Sequence, residues 1–199
     1  MKFEYVVGID EAGKGPLAGP VAVGALAVTA DFDWRRLPTV NDSKQLKESV
    51  REDIYKEVII MKKAGELDFR VSMVSASVID QIGISRSVAR ALARALTGLS
   101  LDPAQVAVKL DGSLKAPAIY TNQETIIKGD AKEKVIGLAS IMAKVRRDRY
   151  MKNLAKQPEL ASYQLAVLKG YGTKIHRAAI KENGLSSIHR ASFCRALLG

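Results

Sequence analysis

The sequence predicts an α/β domain built around a mixed sheet. Short apolar, β-branched runs of strand length recur along it, and three of them fall early. Longer stretches with apolar residues three or four apart intervene, mostly later, as helices packed on such a sheet would. The 199 residues, 47% of them apolar, suffice for a real core and suit one domain with room for a small appendage.

Taken in order, Tyr5-Val6-Val7-Gly8-Ile9 is the first strand, punctuated by Gly13 to Gly15. Residues 20–29, with Val21, Val23, Leu26 and Val28, form the second strand, and 31–42 read as loop. A helix is expected over 44–63, where Leu46, Val50, Ile54, Val58 and Met61 recur at helical spacing. Residues 69–74 are the third strand. The next helix, 84–99, sets Val88, Leu92 and Leu96 four apart. Residues 105–111 and 124–128 are the fourth and fifth strands. One long helix is expected over 131–154, with Val135, Leu138, Ile141, Met142 and Val145 on one face. The chain from Gln157 on reads as helical with Gly and Pro breaks. This predicts a core at 1–155 and a helical C-terminal segment at 156–199 packed on it.

Composition excludes several classes. Cys194 is the one cysteine, so neither an intrachain disulfide nor a cysteine-based zinc site is possible, and a reducing cytoplasm is the expected compartment. No apolar run reaches the roughly 18–20 residues that span a bilayer. The start, Met1-Lys2-Phe3-Glu4, lacks the layout of a signal peptide. Thirty-one Lys and Arg against 21 Asp and Glu give a formal charge of +10, which points to a polyanionic partner.

Gly8-Ile9-Asp10-Glu11-Ala12-Gly13-Lys14-Gly15 resembles the start of a nucleotide P-loop, but Gly15 stands where that motif needs a hydroxyl for Mg²⁺. Two acids inside the loop would also repel the phosphates it must cradle. Adjacent carboxylates at a strand end suit a hard divalent cation better. Successive strand side chains point to opposite faces, so joint ligation by Asp10 and Glu11 requires the strand to end or bulge there, or Glu11 to act through backbone or water. Gly13 and Gly15 let the backbone approach a ligand closely, and Lys14 supplies a point charge for phosphate.

These residues carry a family resemblance. The run GIDEAGKGPLAGPVAVGA resembles the signature of the type 2 ribonucleases H (ribonuclease HII). Further matches follow in order: Asp42-Ser43-Lys44, Leu110-Asp111-Gly112, Lys128-Gly129-Asp130-Ala131, Leu138 to Val145 with Arg147-Asp148, Lys169 to Thr173, and Ser187 to Phe193. The resemblance implies a ribonuclease H-like mixed five-stranded sheet flanked by helices, with a helical C-terminal appendage. It implies an enzyme dependent on Mg²⁺ or Mn²⁺, with two ions during catalysis, that is monomeric by family default. Its substrates would be RNA–DNA hybrids and duplex DNA with single embedded ribonucleotides. Cleavage would fall 5′ to the ribonucleotide and leave 3′-hydroxyl and 5′-phosphate ends.

The family uses an Asp-Glu-Asp-Asp set. Asp10, Glu11 and Asp111 match its first three members, while Asp130 and Asp148 compete for the fourth place. On an unbroken helix 18 residues separate those two by roughly 27 Å, whereas paired ions sit about 3.5–4 Å apart. The family's Gly-Asp-Ala element selects Asp130, which falls at the expected helix N-cap. Asp148, between Arg147 and Arg149, reads as an ion-pairing residue. Asp10 is the expected bridging ligand. Without cations, four clustered carboxylates should push at least one pKa upward.

For substrate binding, the resemblance implies that the Gly13-Lys14-Gly15 loop reads the ribose 2′-hydroxyl. Lys14 stands where the family usually has Arg, keeping the charge and losing the planar fork. Tyr171 matches a tyrosine that packs on a sugar. Ser43 and Lys44 are expected at phosphate, with Ser43 also suited to cap the following helix. His176 and His189 read as structural, and Cys194 as a core residue. Residues 128–152 hold eight Lys and Arg against three acids. Such a face could track a phosphate backbone or simply be solvated.

Overall fold

The computed structural model describes residues 3–37 and 46–198, so Asp42, Ser43, Lys44 and the expected start of the first helix lie outside the described residues. The order is β1 (Tyr5–Ala12), β2 (Val21–Thr29), a short 3-10 turn, α1 (Glu48–Lys63), β3 (Leu67–Val74), α2 (Ala76–Ile82), α3 (Ile84–Thr97), β4 (Val106–Asp111) and β5 (Gln123–Ile126). Then come α4 (Gly129–Lys132), α5 (Lys134–Leu154), a 3-10 stretch (Pro158–Tyr163), α6 (Leu165–Leu168), α7 (Lys174–Asn183) and α8 (Ala191–Leu198).

The sheet runs β3-β2-β1-β4-β5. β2 is antiparallel to both its neighbours, while β1 pairs parallel with β4 and β4 with β5. The C-terminal ends of β1, β3, β4 and β5 therefore share one edge. Strand alternation sorts the side chains between two layers. Val7, Ile9, Val21, Val23, Val106, Val108 and Leu110 pack with α3 on one face. Leu26 and Val28 pack with α1 and α5 on the other.

Two glycines let α5 lie directly on that second face. A Cβ at Gly8 would sit 2.2 Å from the Val135 carbonyl oxygen, and one at Gly24 2.3 Å from that of Ala139. Both obstacles are main chain and cannot swing aside.

The structure corrects the expectation of one helix over 131–154. Glu133 is extended, with φ −119° and ψ 112°, and separates α4 from α5. The local sequence is helix-compatible, so the break is imposed by tertiary contacts. The Gly129 amide is tied to Asp111 at 2.6 Å, while α5 must reach Gly8. A straight helix has no reason to meet both demands, and one extended residue between two helices does. α2 was not anticipated either. Seven residues capped by the Ser75 hydroxyl are too short to display a helical period.

Beyond α5 the chain builds its own apolar cluster, in which Leu160, Tyr163, Leu165, Ile180 and Cys194 meet Leu17 and Met151 from the core. Ala18 bridges to His189, and the Leu17 amide donates to the Gly170 carbonyl at 2.9 Å. Among the described residues no helix is long and apolar enough to cross a membrane.

Replacing Gly8 by Ala should lower stability by about 1–3 kcal/mol or more, as overpacking against immovable backbone does. Urea titration followed by circular dichroism will measure this as a fall in the midpoint at unchanged slope.

Candidate active site

The shared strand edge gathers carboxylates. The β1–β4 register pairs Ile9 with Leu110, which sets Asp10 beside Asp111 at the strand ends, both on the α5 face. Asp130 comes to the same place from α4, and one oxygen from each of Asp10, Asp111 and Asp130 lies within 4.8 Å of the others. Asp130 is not the helix N-cap expected for it. Lys128, in the left-handed region, holds that position, and Asp130 lies within the short helix itself. It is held there because Asp111 Oδ1 accepts the Gly129 N–H.

Asp10 is 1% exposed. Burial pushes its carboxyl up to about 7, the nearby Asp111 and Glu11 charges push the same way, and the Ser140 hydroxyl and Glu11 amide oppose them. The expected upward shift is present, though desolvation outweighs repulsion as its cause. One Asp10 oxygen accepts the Glu11 N–H at 2.7 Å, while Oδ2 is buried without a hydrogen-bond partner. A buried anionic oxygen lacking a donor, among further carboxylate oxygens, is the donor set that a hard divalent cation takes. The residues thus fit a divalent metal ion.

Glu11 stands apart from this trio. β1 continues regularly through Ala12 without the expected ending or bulge, so Glu11 points to the face opposite Asp10. Its carboxylate lies 3.9 Å from Lys14 Nζ on the wall of the same cleft.

That cleft encloses about 360 Å³ and is lined by Asp10, Glu11, Gly13, Lys14, Asp111 and Tyr171, together with Arg51, Ser140 and Lys144. Gly15 is exposed beside it without lining it. Tyr171 is 41% exposed, with Lys144 Nζ 5.6 Å and Arg147 Cζ 5.7 Å from its ring centre. Arg51, Ser140 and Lys144 had no assigned part in the sequence reading. Ser140 and Lys144 were findable, because their spacing of four puts them on one stripe of α5. Arg51, on α1, left no such signal.

Asp148 does pair with a cation, but its partner is Lys144 at 2.8 Å and not an adjacent arginine. Arg149 binds Glu52, and Lys152 lies 2.6 Å from Glu48. Two of the cations of α5, Arg149 and Lys152, are therefore taken up by acids of α1. Arg147 is fully buried, and its guanidinium donates to the carbonyls of Pro20, Lys169 and Ala18.

The two histidines form a relay behind Tyr171. His176 Nδ1 lies 2.9 Å from the Tyr171 carbonyl, which can only accept, so that nitrogen carries the proton. His176 Nε2 must then accept from His189 Nε2 at 3.2 Å. His189 Nδ1 in turn accepts from the Ser186 amide at 3.0 Å. Every contact is satisfied only with both rings neutral. Burial lowers the pKa of each, that of His189 to about 4.

Comparison with known proteins agrees with this geometry. The family model described as Ribonuclease HII matches residues 7–196. A ribonuclease HII of Endomicrobium trichonymphae is 43% identical over 191 residues, covering 96% of this chain and 86% of that protein. Among solved structures, the PCNA:RNase HII complex from Archaeoglobus fulgidus aligns with a TM-score of 0.74 at 25% identity, over 98% of this chain and 97% of that one. Bst-RNase HIII in complex with Mn²⁺ shares the fold, with a TM-score of 0.72 and 20% identity over 92% of this chain and 62% of that one.

The histidine relay sets an acid limit. Unfolded histidines titrate near 6.5 and the folded rings lower, so the unfolded chain binds more protons between those values. The relay's contribution should be complete above about pH 6.5 and lost as pH falls toward about 4. Melting temperatures across that range should fall less steeply with acid in His189→Asn than in the unaltered protein.

Proposed function

The chain belongs to the ribonuclease HII family, hydrolases that cut the RNA of RNA–DNA hybrids, and we propose that its cleft also nicks duplex DNA at single embedded ribonucleotides. Cleavage falls on the 5′ side of the ribonucleotide and leaves 3′-hydroxyl and 5′-phosphate ends. The observation that carries this reading is the convergence of Asp10, Asp111 and Asp130 at a strand edge beside an open glycine loop and an exposed tyrosine.

Asp10, Asp111 and Asp130 would hold Mg²⁺ or Mn²⁺, with Glu11 completing the set from the cleft wall. Four carboxylates nearly balance two divalent ions. When bound, such ions lower the pKa of a coordinated water and offset the charge of the phosphodiester. The chain's own residues do the rest. Lys14, Lys144 and Arg51 line the cleft as cations suited to an incoming phosphate. Ser43 and Lys44 are assigned to the flanking backbone. Tyr171 offers its ring as a platform for the sugar beside the cleavage point, and the relay behind it keeps its backbone in place. Main-chain amides of the Gly13-Lys14-Gly15 loop read the 2′-hydroxyl, the group that separates RNA from DNA. A protein that only bound nucleic acid would gain nothing from buried acids facing a phosphate.

The test is a DNA duplex carrying one ribonucleotide, incubated with Mg²⁺ or Mn²⁺ and then with EDTA. Nicking 5′ to the ribonucleotide that EDTA abolishes is expected, and binding without nicking would refute the reading. Asp10→Asn should reduce cleavage on the order of 10²-fold or more, the scale on which loss of one preorganised electrostatic contact acts, while duplex binding persists. Tyr171→Phe should stay close to the unaltered enzyme. Tyr171→Ala should raise KM about 5–100-fold, which is the worth of one stacking contact.

A further inference from the structure

Arg190 is fully buried just ahead of α8, near the end of the chain, yet its guanidinium is planted beneath the first loop. Its Nη2 donates to the Gly13 carbonyl at 2.7 Å, Nη1 to that of Lys14 at 2.9 Å and Nε to that of Gly19 at 3.0 Å. No ion pair joins it to a carboxylate among the described residues. Buried charges ordinarily need a counter-ion; this one is satisfied by main-chain oxygens aimed at it from the loop. Burial, with Arg147 close by, lowers its pKa to about 10, which leaves it protonated at neutral pH.

Holding those carbonyls has a geometric consequence. Across a trans peptide the C=O and the following N–H point in opposite directions, and the described chain has no cis peptide. With the Gly13 carbonyl turned inward, the Lys14 amide faces out. With the Lys14 carbonyl turned inward, the Gly15 amide faces out. Neither amide has a hydrogen-bond acceptor among the described residues, and both residues are exposed, Lys14 on the cleft wall and Gly15 beside it. Gly13 is also packed closely on Arg147, since a Cβ there would fall 2.0 Å from Arg147 Nε.

We infer that Arg190 is a positioning residue for ribonucleotide recognition: by anchoring the Gly13 and Lys14 carbonyls in the interior, it presents the Lys14 and Gly15 amides to the substrate. The inference rests on the proposed reading that this loop detects the 2′-hydroxyl. Arg190 itself touches no substrate. Arginine suits the task because its planar fork reaches several separated carbonyls at once, whereas the three donors of a lysine ammonium all radiate from one nitrogen. The position of Lys14, where the family usually has Arg, matters less on this account, since the contact made is through the main chain.

The test compares affinities for two duplexes of the same sequence, one with a single ribonucleotide and one all DNA, measured in EDTA. In Arg190→Lys the ribonucleotide-to-DNA affinity ratio should fall at least about fivefold, the loss of one aligned hydrogen bond, while all-DNA affinity changes little. An unchanged ratio in a folded Arg190→Lys protein overturns the inference. Should that variant fail to fold, the unaltered protein decides. Its Lys14 and Gly15 amide resonances should shift with the ribonucleotide duplex and not with the all-DNA duplex; equal responses to both overturn the inference. If the unaltered protein does not nick the ribonucleotide duplex when Mg²⁺ or Mn²⁺ is supplied, the functional reading fails instead.

Discussion

Parallel pairing of β1 with β4 forces two carboxylates together, and the rest of the site answers that repulsion. Two full negative charges separated by at most 4.8 Å repel by about 3–4 kcal/mol at an effective dielectric near 20, and Asp130 adds a third. The fold offsets this locally. The Glu11 amide donates to Asp10 and the Gly129 amide to Asp111, each a charge-assisted bond. Asp10 meets the remainder by holding its carboxyl near 7. A divalent cation among these oxygens would offset the repulsion that the fold only partly relieves.

Much of the architecture follows from what that edge needs. Asp130 reaches it only because the chain breaks at Glu133, letting α4 follow β5 while α5 turns back along the sheet. α5 reaches it only because Gly8 and Gly24 have no side chains, so the helix rests on the strands and brings Ser140 to Asp10 and Lys144 to the cleft. The pairing of α1 with α5 through Glu52–Arg149 and Glu48–Lys152 then fixes the wall from which Arg51 enters.

The strands, the main helices and the acids were legible because they obey local rules. Period-two and period-3.6 patterns need no partner to be visible, and the matching acids stand in recognisable strings of residues. What could not be read depends on contacts between distant parts of the chain. Residues 131–134 contain nothing that stops a helix, so the break at Glu133 was invisible, and with it the misplacement of Asp130 at an N-cap. The opposite orientation of Glu11 turned on whether β1 stopped at Ile9 or ran on to Ala12. Arg147 and Arg190 are buried for a reason that local sequence does not carry. Arginine is among the residues least often fully buried, and only the positions of the Ala18, Gly19 and Lys169 carbonyls reveal why these two are exceptions.

Those two arginines also show how the acids and the glycine loop are supported separately. Asp10 and Asp111 are placed by strand register, and Asp130 by α4 through the Gly129–Asp111 bond. The glycine loop is placed by guanidiniums from α5 and from the C-terminal segment, which is itself tied down through the Leu17–Gly170 bond and the Ala18–His189 bridge. A loop with positive φ at Gly13 and Gly19 has little intrinsic preference for one shape, so its conformation must be imposed from outside. Segments remote in sequence supply that constraint, and the loop's shape therefore depends on the C-terminal segment being docked. The carboxylate trio is carried by β1, β4 and α4, all of which precede residue 133.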